Sequence, residues 1–472
     1  MSPLASAPFL VVFAGWCAGL SGSSRFNPLV AALIGAFLSS AFLLVGTRHL
    51  PPGSGIFLPT TLLLVVVPIV ILVARVQAPT SGERPFEGKA IVVSERSWGF
   101  RRALVLKTGE GRLLCLESPE KTYREGMGLH VKGKLIPLEQ LFPNRAGDFD
   151  GTLYWKGKGV KEGFKPCQTS RSETTGAWLA SWRTFLRKKL LLNLPPLVRG
   201  HLLAAWTGEK DPEVADLHKR WGTAHLLAVS GFHVGIVATV LLWCLRGFRF
   251  KLLWSSGILW GYVLLTGGAP SATRAMMMIQ LALLGPMVSG RPSTGINSVS
   301  VAGGLLLLVN PWLFWDIGWR LSVISALVLC SIIKAKSRIS LLLASFSIWM
   351  ATAGPVSLIF GSVPVAGIFV NLLALPVFSL LLPVASIAAL PAVSGIPGGW
   401  IAPLGMEGVF ETWILIANTA SQLLPWQVPY TPLIGGLSAG MLGGAVGYGL
   451  GLGWEKCVLL SILAVFCGSL FG

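Results

Sequence analysis

The sequence predicts a polytopic α-helical membrane protein with one small all-β domain inserted after its first helices. Three observations predict it. Apolar residues make up 53% of the 472-residue chain and charged residues 12%, and the mean hydropathy is +0.68, outside the range of soluble globular domains. Apolar runs of membrane-crossing length recur from one end to the other. Charge is segregated: residues 83–171 carry 17 of the 38 Lys and Arg and 11 of the 20 Asp and Glu, whereas residues 221–472 hold four acids, Asp316, Glu407, Glu411 and Glu455. A net charge of +18 calls for anionic partners, either lipid headgroups or nucleic acid.

Residues 1–82 contain three basic residues, Arg25, Arg48 and Arg75, and no acid. Three apolar runs, at 4–21, 28–46 and 56–74, are each long enough for a membrane helix. The first lacks the basic n-region and small-residue cleavage site of a secretory signal, so it reads as a retained span. Residues 83–171 change in kind. Short β-like runs, KAIVVSE, RALVLKT, RLLCLES and GLHVKGKLIPLE, separated by turn residues, predict four or five strands and an OB-like barrel. Residues 172–220 form a linker. Within it, GAWLASWRTFLRKKLLL places Trp178, Leu179, Trp182, Phe185, Leu186 and Leu190 on one helical face, with Arg183, Arg187 and Lys188 toward the other, the pattern of a helix lying in the membrane interface or of a packed surface helix. Residues 221–472 read as eight to ten spans.

Basic residues orient this topology. With a cytoplasmic N-terminus, three spans place the β-domain outside, and the alternation then puts Arg246, Arg249 and Lys251, Arg291, and Lys334, Lys336 and Arg338 in the cytoplasm, as the positive-inside rule requires. The chain is thus expected to be multi-pass in the cytoplasmic membrane with its OB-like domain extracytoplasmic. An external location permits a disulfide between Cys115 and Cys167, the two of seven cysteines in polar sequence; two free thiols fit equally well.

Ionisable residues within a bilayer are costly and face a cavity or a partner. In HLLAVSGFHVG, His225 and His233 are eight residues apart, about 80° in azimuth on a helix, so they can line one wall. A metal site needs closer ligands and a third donor, which the region lacks. A serine hydrolase using Ser230 with His233 or His225 lacks the first glycine of GxSG. A polar lining or hinge of a translocation path is the third reading, and histidines satisfied between helices the bland one. Further polar points are Ser271 and Arg274 in GGAPSATRAMMM, Asn310, Asp316, Arg320 and Ser322 in NPWLFWDIGWRLS, and Asn371 in VNLLALP. Asp316 and Arg320 have the i, i+4 spacing of a pair. Arg274 has no acid nearby in sequence and suits a phosphate. No metal, cofactor or P-loop is indicated. Glycines repeat every four residues from Gly436 to Gly444 and from Gly443 to Gly451, which reads as tight helix packing.

At these residues the chain resembles the ComEC family of competence DNA-uptake channels. GTAHLLAVSGFHVG (222–235) is similar to that family's most characteristic string, and PSATRAMMM, DIGWRLS and VNLLALP follow in the family's order. GDFDGTLYWKGKGV (147–160) is similar to the run that closes the family's OB domain. The resemblance implies a channel passing one DNA strand across the cytoplasmic membrane, with His225, Ser230, His233, Arg274, Asp316, Arg320 and Asn371 along the path. It also implies that Asp148, Asp150, Lys156 and Lys158 act in the OB domain. Arg320 stands where the family more often has glutamine. Many members continue into a metallo-β-lactamase-like domain; this chain stops at Gly472 without an HxHxDH motif. The expectation is therefore a channel without nuclease activity of its own. Its expected partners are single-stranded DNA, membrane lipids, an external DNA receptor, a cytoplasmic ATPase or helicase, and a separate nuclease. An intramembrane serine hydrolase and a transporter of another polyanion are the rival readings.

Overall fold

The computed structural model describes residues 7–22, 57–77, 82–118, 123–142, 150–172, 178–227, 229–289, 294–333 and 339–471. The chain opens with α1 (Pro8–Gly22) and α2 (Phe57–Gln77), which meet through Val12, Trp16, Ile69 and Val73. The middle apolar run, 28–46, lies outside the described residues, as do Arg291, Lys334, Lys336 and Arg338.

Strands β1 (Arg84–Trp98), β2 (Arg101–Thr108), β3 (Gly111–Glu117) and β4 (Gly128–Ile136) follow, then short helices α3 (Leu138–Leu141) and α4 (Gly151–Gly157), and β5 (Val160–Arg171). They close a five-stranded barrel in the order β1-β2-β3-β5-β4. All neighbours are antiparallel except β3 and β5. The interior is filled by Val92, Leu104, Leu106, Leu113, Leu129, Val131 and Phe164. Outside it, Ala103, Val105 and Leu114 are covered by Leu138 and Trp155 from the two helices. That second layer explains why RALVLKT and RLLCLES read as continuous apolar runs: both faces of β2 and β3 are buried. β5 is the strand that the alternation hides. It carries Lys161 and Lys165, and Pro166 opposite Gly133 at the register shift where a strand tolerates proline. A Cβ on Gly133 would stand 2.3 Å from the Lys165 carbonyl oxygen, so only glycine lets the two strands approach there.

Of the two alternatives for Cys115 and Cys167, the structure has no disulfide between them: Cys115 is buried in the barrel interior and Cys167 is exposed on β5.

Helix α5 (Trp178–Asn193) follows the barrel, then α6 (Pro196–Thr207) and α7 (Pro212–Arg220). Its arginines are not free for headgroups: Arg183 pairs with Glu125 at 3.2 Å and Arg187 with Glu209 at 2.9 Å. Trp182, Phe185 and Leu192 stay exposed while Leu190 is fully buried, so the helix clamps the barrel with one side and presents aromatic residues on another.

The remaining helices are α8 (Gly231–Cys244), α9 (Lys251–Leu265), α10 (Pro270–Ser289), α11 (Gly295–Val309), α12 (Ile317–Ile332), α13 (Ile339–Phe360), α14 (Gly367–Ser394), α15 (Ile401–Leu423), α16 (Pro432–Gly449) and α17 (Trp454–Phe471). Among the described residues, Leu343–Phe360 and Gly367–Ser394 are long and apolar enough to cross a membrane by length and composition. The run beginning at His225 is not one helix. His225 lies in a 3-10 turn, Ala224–Leu226, and α8 starts only at Gly231. The two motif histidines therefore belong to different elements and do not share a helical wall. At the far end, Cβ atoms on Gly440 and Gly444 would stand 2.5 Å from Val465 and 2.4 Å from the Ser461 hydroxyl, so these glycines bring α16 against α17, as their spacing predicts.

Candidate functional site

A cavity of about 1590 Å³ lies between the barrel and the helices. The barrel contributes Arg96, Arg112, Tyr154, Lys158 and Lys161, and α5 contributes Arg183 and Arg187. The opposite wall is built from the segments that lead into three helices: Val229 before α8, Pro270 and Ser271 at the start of α10, and Asp316 and Ile317 at the start of α12. First-turn amides leave partial positive charge at a helix N-terminus. Two such ends, those of α10 and α12, line the cavity, and Val229 before the α8 cap lines it beside them.

Eleven Lys and Arg and six carboxylates line the cavity. Every one of those carboxylates is paired: Glu110 and Glu162 with Arg84, Glu95 with Arg102, Glu125 with Arg183, Glu209 with Arg187 and Asp316 with Lys158. Arg75, Arg96, Arg112, Arg124, Lys161 and Lys210 form no ion pair with a described residue. Arg96 instead donates to the Tyr154 hydroxyl at 3.2 Å and Arg112 to the Lys158 carbonyl at 3.0 Å. Burial lowers the Lys210 pKa below the ordinary lysine value, and the like charges of Arg96 and Lys158 lower it further. Burial raises the Glu125 carboxyl, with Arg183 opposing. The cavity thus has an excess of unanswered positive charge in a partly desolvated setting, which attracts an anion with several charges.

Four residues singled out from the sequence meet where α4 docks on the turn Pro311–Trp315. Asn310 Nδ2 donates to the carbonyls of Lys156 and Gly157, both at 3.1 Å. Its Oδ1 accepts from the Trp312 amide at 3.2 Å. Lys158 Nζ donates to Asp316 Oδ2 at 2.8 Å, and Asp316 Oδ1 accepts from the Trp319 amide at 2.9 Å, capping α12. Lys156 Nζ lies 4.3 Å from the Trp312 ring centroid. Asp316 and Arg320 form no ion pair: Arg320 Nε donates to the Phe314 carbonyl at 2.6 Å and its guanidinium lies over the Phe314 ring at 5.0 Å. Asp316 is turned toward the barrel by its capping role, and Lys158 meets it there. Asp150 caps α4 by accepting from the Leu153 amide at 2.9 Å. Asp148 lies outside the described residues.

The histidine motif forms a second cluster. Ser230 precedes α8, and the His233 ring reaches back to it, with Nδ1 at 3.4 Å from the Ser230 amide and 3.2 Å from Oγ. Ser271 Oγ holds the preceding turn by donating to the Val229 carbonyl at 2.8 Å. Arg274 donates twice to Ser322 Oγ, from Nε at 3.0 Å and Nη2 at 2.7 Å. Asn371 stands apart. Its Nδ2 donates to the Gly222 carbonyl at 3.3 Å, while Trp221 Nε1 donates to Asn418 Oδ1 at 2.9 Å. The two asparagines thus hold the turn from which His225 leads to α8.

Two buried histidines escaped the sequence reading. His201 Nδ1 contacts the Leu197 carbonyl at 2.7 Å, His201 Nε2 contacts His218 Nε2 at 3.1 Å, and His218 Nδ1 contacts Thr223 Oγ1 at 2.9 Å. One assignment satisfies every atom: Thr223 donates to His218, His218 to His201, and His201 to Leu197, with both rings neutral. Glu407 continues this network by accepting from the amides of Leu197 and Val198 at 2.8 and 2.9 Å. Burial holds both imidazoles below the usual histidine range, at about 4 for His201 and about 3 for His218. Four of the six histidines fall between residues 201 and 233, a clustering that was the only signal available.

Comparison with known proteins agrees with the helical region. The profile of a family described as Competence protein matches residues 202–453. ComE operon protein 3 of Bacillus subtilis (strain 168) is 33% identical over 157 residues, which cover 31% of this chain and 20% of that protein. The match thus spans about a fifth of that relative's length. No solved structure matches the chain.

Proposed function

The chain belongs to the Competence protein family, and from that premise we propose that it passes single-stranded DNA across the cytoplasmic membrane during DNA uptake. In this reading the apolar helices form a multi-pass channel and the barrel is an OB-like domain on the outer side, a fold used for single strands. The observation that carries the proposal is the cavity beneath the barrel, where six cations have no carboxylate partner among the described residues and the N-termini of α10 and α12 form part of the wall. A phosphodiester strand supplies one negative charge per nucleotide and is held there without base recognition. Strand entry draws on Arg96, Arg112 and Lys210, while Arg274, Ser230 and His233 lie at the helix starts beyond them.

The Ser230–His233 contact is the one feature that favours a hydrolase. It has the geometry of a helix cap: Nδ1 is shared between the Ser230 amide and hydroxyl, and no carboxylate orients the other ring nitrogen among the described residues, as a catalytic triad needs. The test is uptake of labelled single-stranded DNA into proteoliposomes containing only this protein, with a nuclease-protected internal trap. Protected DNA in the lumen that falls with Arg96→Ala/Lys210→Ala is expected. Absence of uptake together with labelling of Ser230 by a fluorophosphonate probe would replace the proposal with the hydrolase, and competition by another polyanion but not by DNA would make the chain a transporter of that solute.

A further inference from the structure

Arg274 is 5% exposed, and no described carboxylate pairs with it. Its acceptors are the neutral Ser322 hydroxyl and the thioether of Met278, 2.9 Å from Nη1. A buried, uncompensated guanidinium is costly unless a counter-charge is bound. Its surroundings make the deficit larger. Nη2 lies 3.7 Å from where a Cβ would stand on Gly231, the first residue of the 14-residue helix α8, so the cation faces the positive end of a helix dipole. The same Cβ would stand 3.2 Å from the Ala275 Cβ, so glycine at 231 lets the start of α8 approach α10 and its guanidinium closely.

We propose that Arg274 and the first amides of α8 form a binding site for a single phosphate group. The guanidinium presents its planar fork to two phosphate oxygens, the Gly231 and Phe232 amides take a third in the manner of a helix N-terminal anion site, and the Ser322 hydroxyl, which accepts from Nε and Nη2, is free to donate its proton to the phosphate. The site is connected to the charged cavity: Ser271, one turn before Arg274 on α10, and Gly318, one turn before Ser322 on α12, both line it. Resting on the reading above, the occupant is one phosphodiester of the strand, held in register as it leaves the cavity. A lipid headgroup offers the same chemistry.

The experiment uses the full chain, delipidated in a non-ionic detergent, and measures thermal unfolding in phosphate against chloride at equal ionic strength. Wild type should be stabilised by phosphate. Arg274→Gln should lose that increment, and Gly231→Ala, which keeps the cation but puts a methyl group beside it and against Ala275, should weaken apparent phosphate affinity at least tenfold, read as the phosphate increment over its own, lowered chloride baseline. Lys132→Met, in an exposed ion pair of the barrel outside the cavity, should respond as wild type. Competition by a short oligothymidylate assigns the site to the strand, and competition by phosphatidylglycerol micelles without it assigns the site to a headgroup. Equal phosphate dependence in wild type and Gly231→Ala would overturn the site. If Gly231→Ala proteoliposomes then still take up DNA at the wild-type rate, the transport reading survives alone; if wild type takes up none, that reading fails independently.

Discussion

The Lys158–Asp316 pair links the barrel to the helices and makes an asymmetric prediction. The Asp316 side chain is 3% exposed and the Lys158 side chain 31%. Lys158→Met leaves a desolvated carboxylate with one amide donor, from Trp319. Breaking a buried pair from one side costs roughly 3–5 kcal/mol; with the lysine partly in water the figure reduces to about 2–3 kcal/mol. Asp316→Asn has a different cost. Asparagine is as good an N-cap as aspartate, and the lysine left behind turns to water, so about 1 kcal/mol is expected. The double variant contains no orphaned charge and should resemble Asp316→Asn, giving a coupling of about 2 kcal/mol between the two positions.

Amide hydrogen exchange reads this directly. The amides of Leu313 and Asp316 in the docked turn, and of Tyr154 and Lys158 in α4, exchange when the barrel lifts from the turn. Lys158→Met should speed their exchange about 30-fold and Asp316→Asn about 5-fold, since each 1.4 kcal/mol is tenfold. The double variant should return to about 5-fold. An Asp316→Asn effect as large as that of Lys158→Met, or strictly additive effects, would refute the idea that Lys158 serves to neutralise a buried carboxylate.

Three further outcomes are expected. Asn310→Ala removes two side-chain donors from the carbonyls of α4 and should loosen docking by about 1–2 kcal/mol, seen as faster tryptic cleavage after Lys158 with the barrel's own unfolding unchanged. Glu407→Gln weakens the cap on α6 by about 1 kcal/mol, measurable as a lower midpoint of thermal unfolding in detergent. The His201–His218 pair should make stability fall with acid. Both folded pKa values, about 4 and about 3, lie below that of a free histidine at about 6.5, so the unfolded chain binds more protons and stability is lost as pH drops from about 6.5 toward about 4. Replacing both with leucine should flatten thermal stability between pH 7 and pH 4.5, and an unchanged acid slope would show that other groups set it.

Much of this was legible because it is local. The alternation in β1 and β4 and the glycine repeat of α16 each announce themselves within a dozen residues, whereas the break at Ser230 does not: the sequence reads His225 and His233 as one helical wall, and they lie in separate elements. Arg274 was legible for a related reason: one guanidinium in an apolar run is a cost that the sequence displays, whatever answers it. Long-range satisfaction is not displayed. Lys158 and Asp316 are 158 residues apart, and the nearer candidate, Arg320, has better spacing and the wrong direction, because capping α12 turns the Asp316 carboxylate toward the barrel. His201 and His218 sit on ordinary-looking helices, and only the approach of Phe378 and Phe410 encloses them. β5 was hidden by its own function as a closing strand, since an edge carrying Lys161, Lys165 and a proline reads as a loop until both neighbours pair with it.

The distinction between local cost and distant satisfaction also reassigns the charge. Lys156 and Lys158 drew attention as residues of the β-domain, Asn310 as a polar point and Asp316 as a path residue, yet Lys158, Asn310 and Asp316 are taken up in joining α4 to the turn Pro311–Trp315, and Lys156 pairs with Glu139 over the Trp312 ring. A group already neutralised in a tight contact adds little field to a cavity. The field comes instead from Arg75, Arg96, Arg112, Arg124, Lys161 and Lys210, of which Arg96, Arg112, Arg124 and Lys161 look in sequence like the solvated background of a basic domain. Under the proposed function, a strand drawn into the cavity is attracted by residues of both the barrel and the α6–α7 turn, and the docking pair sets the barrel over the helix ends where the strand would meet those charges. Docking and attraction are then coupled: Lys158→Met should weaken strand binding without removing a cation that the strand itself contacts.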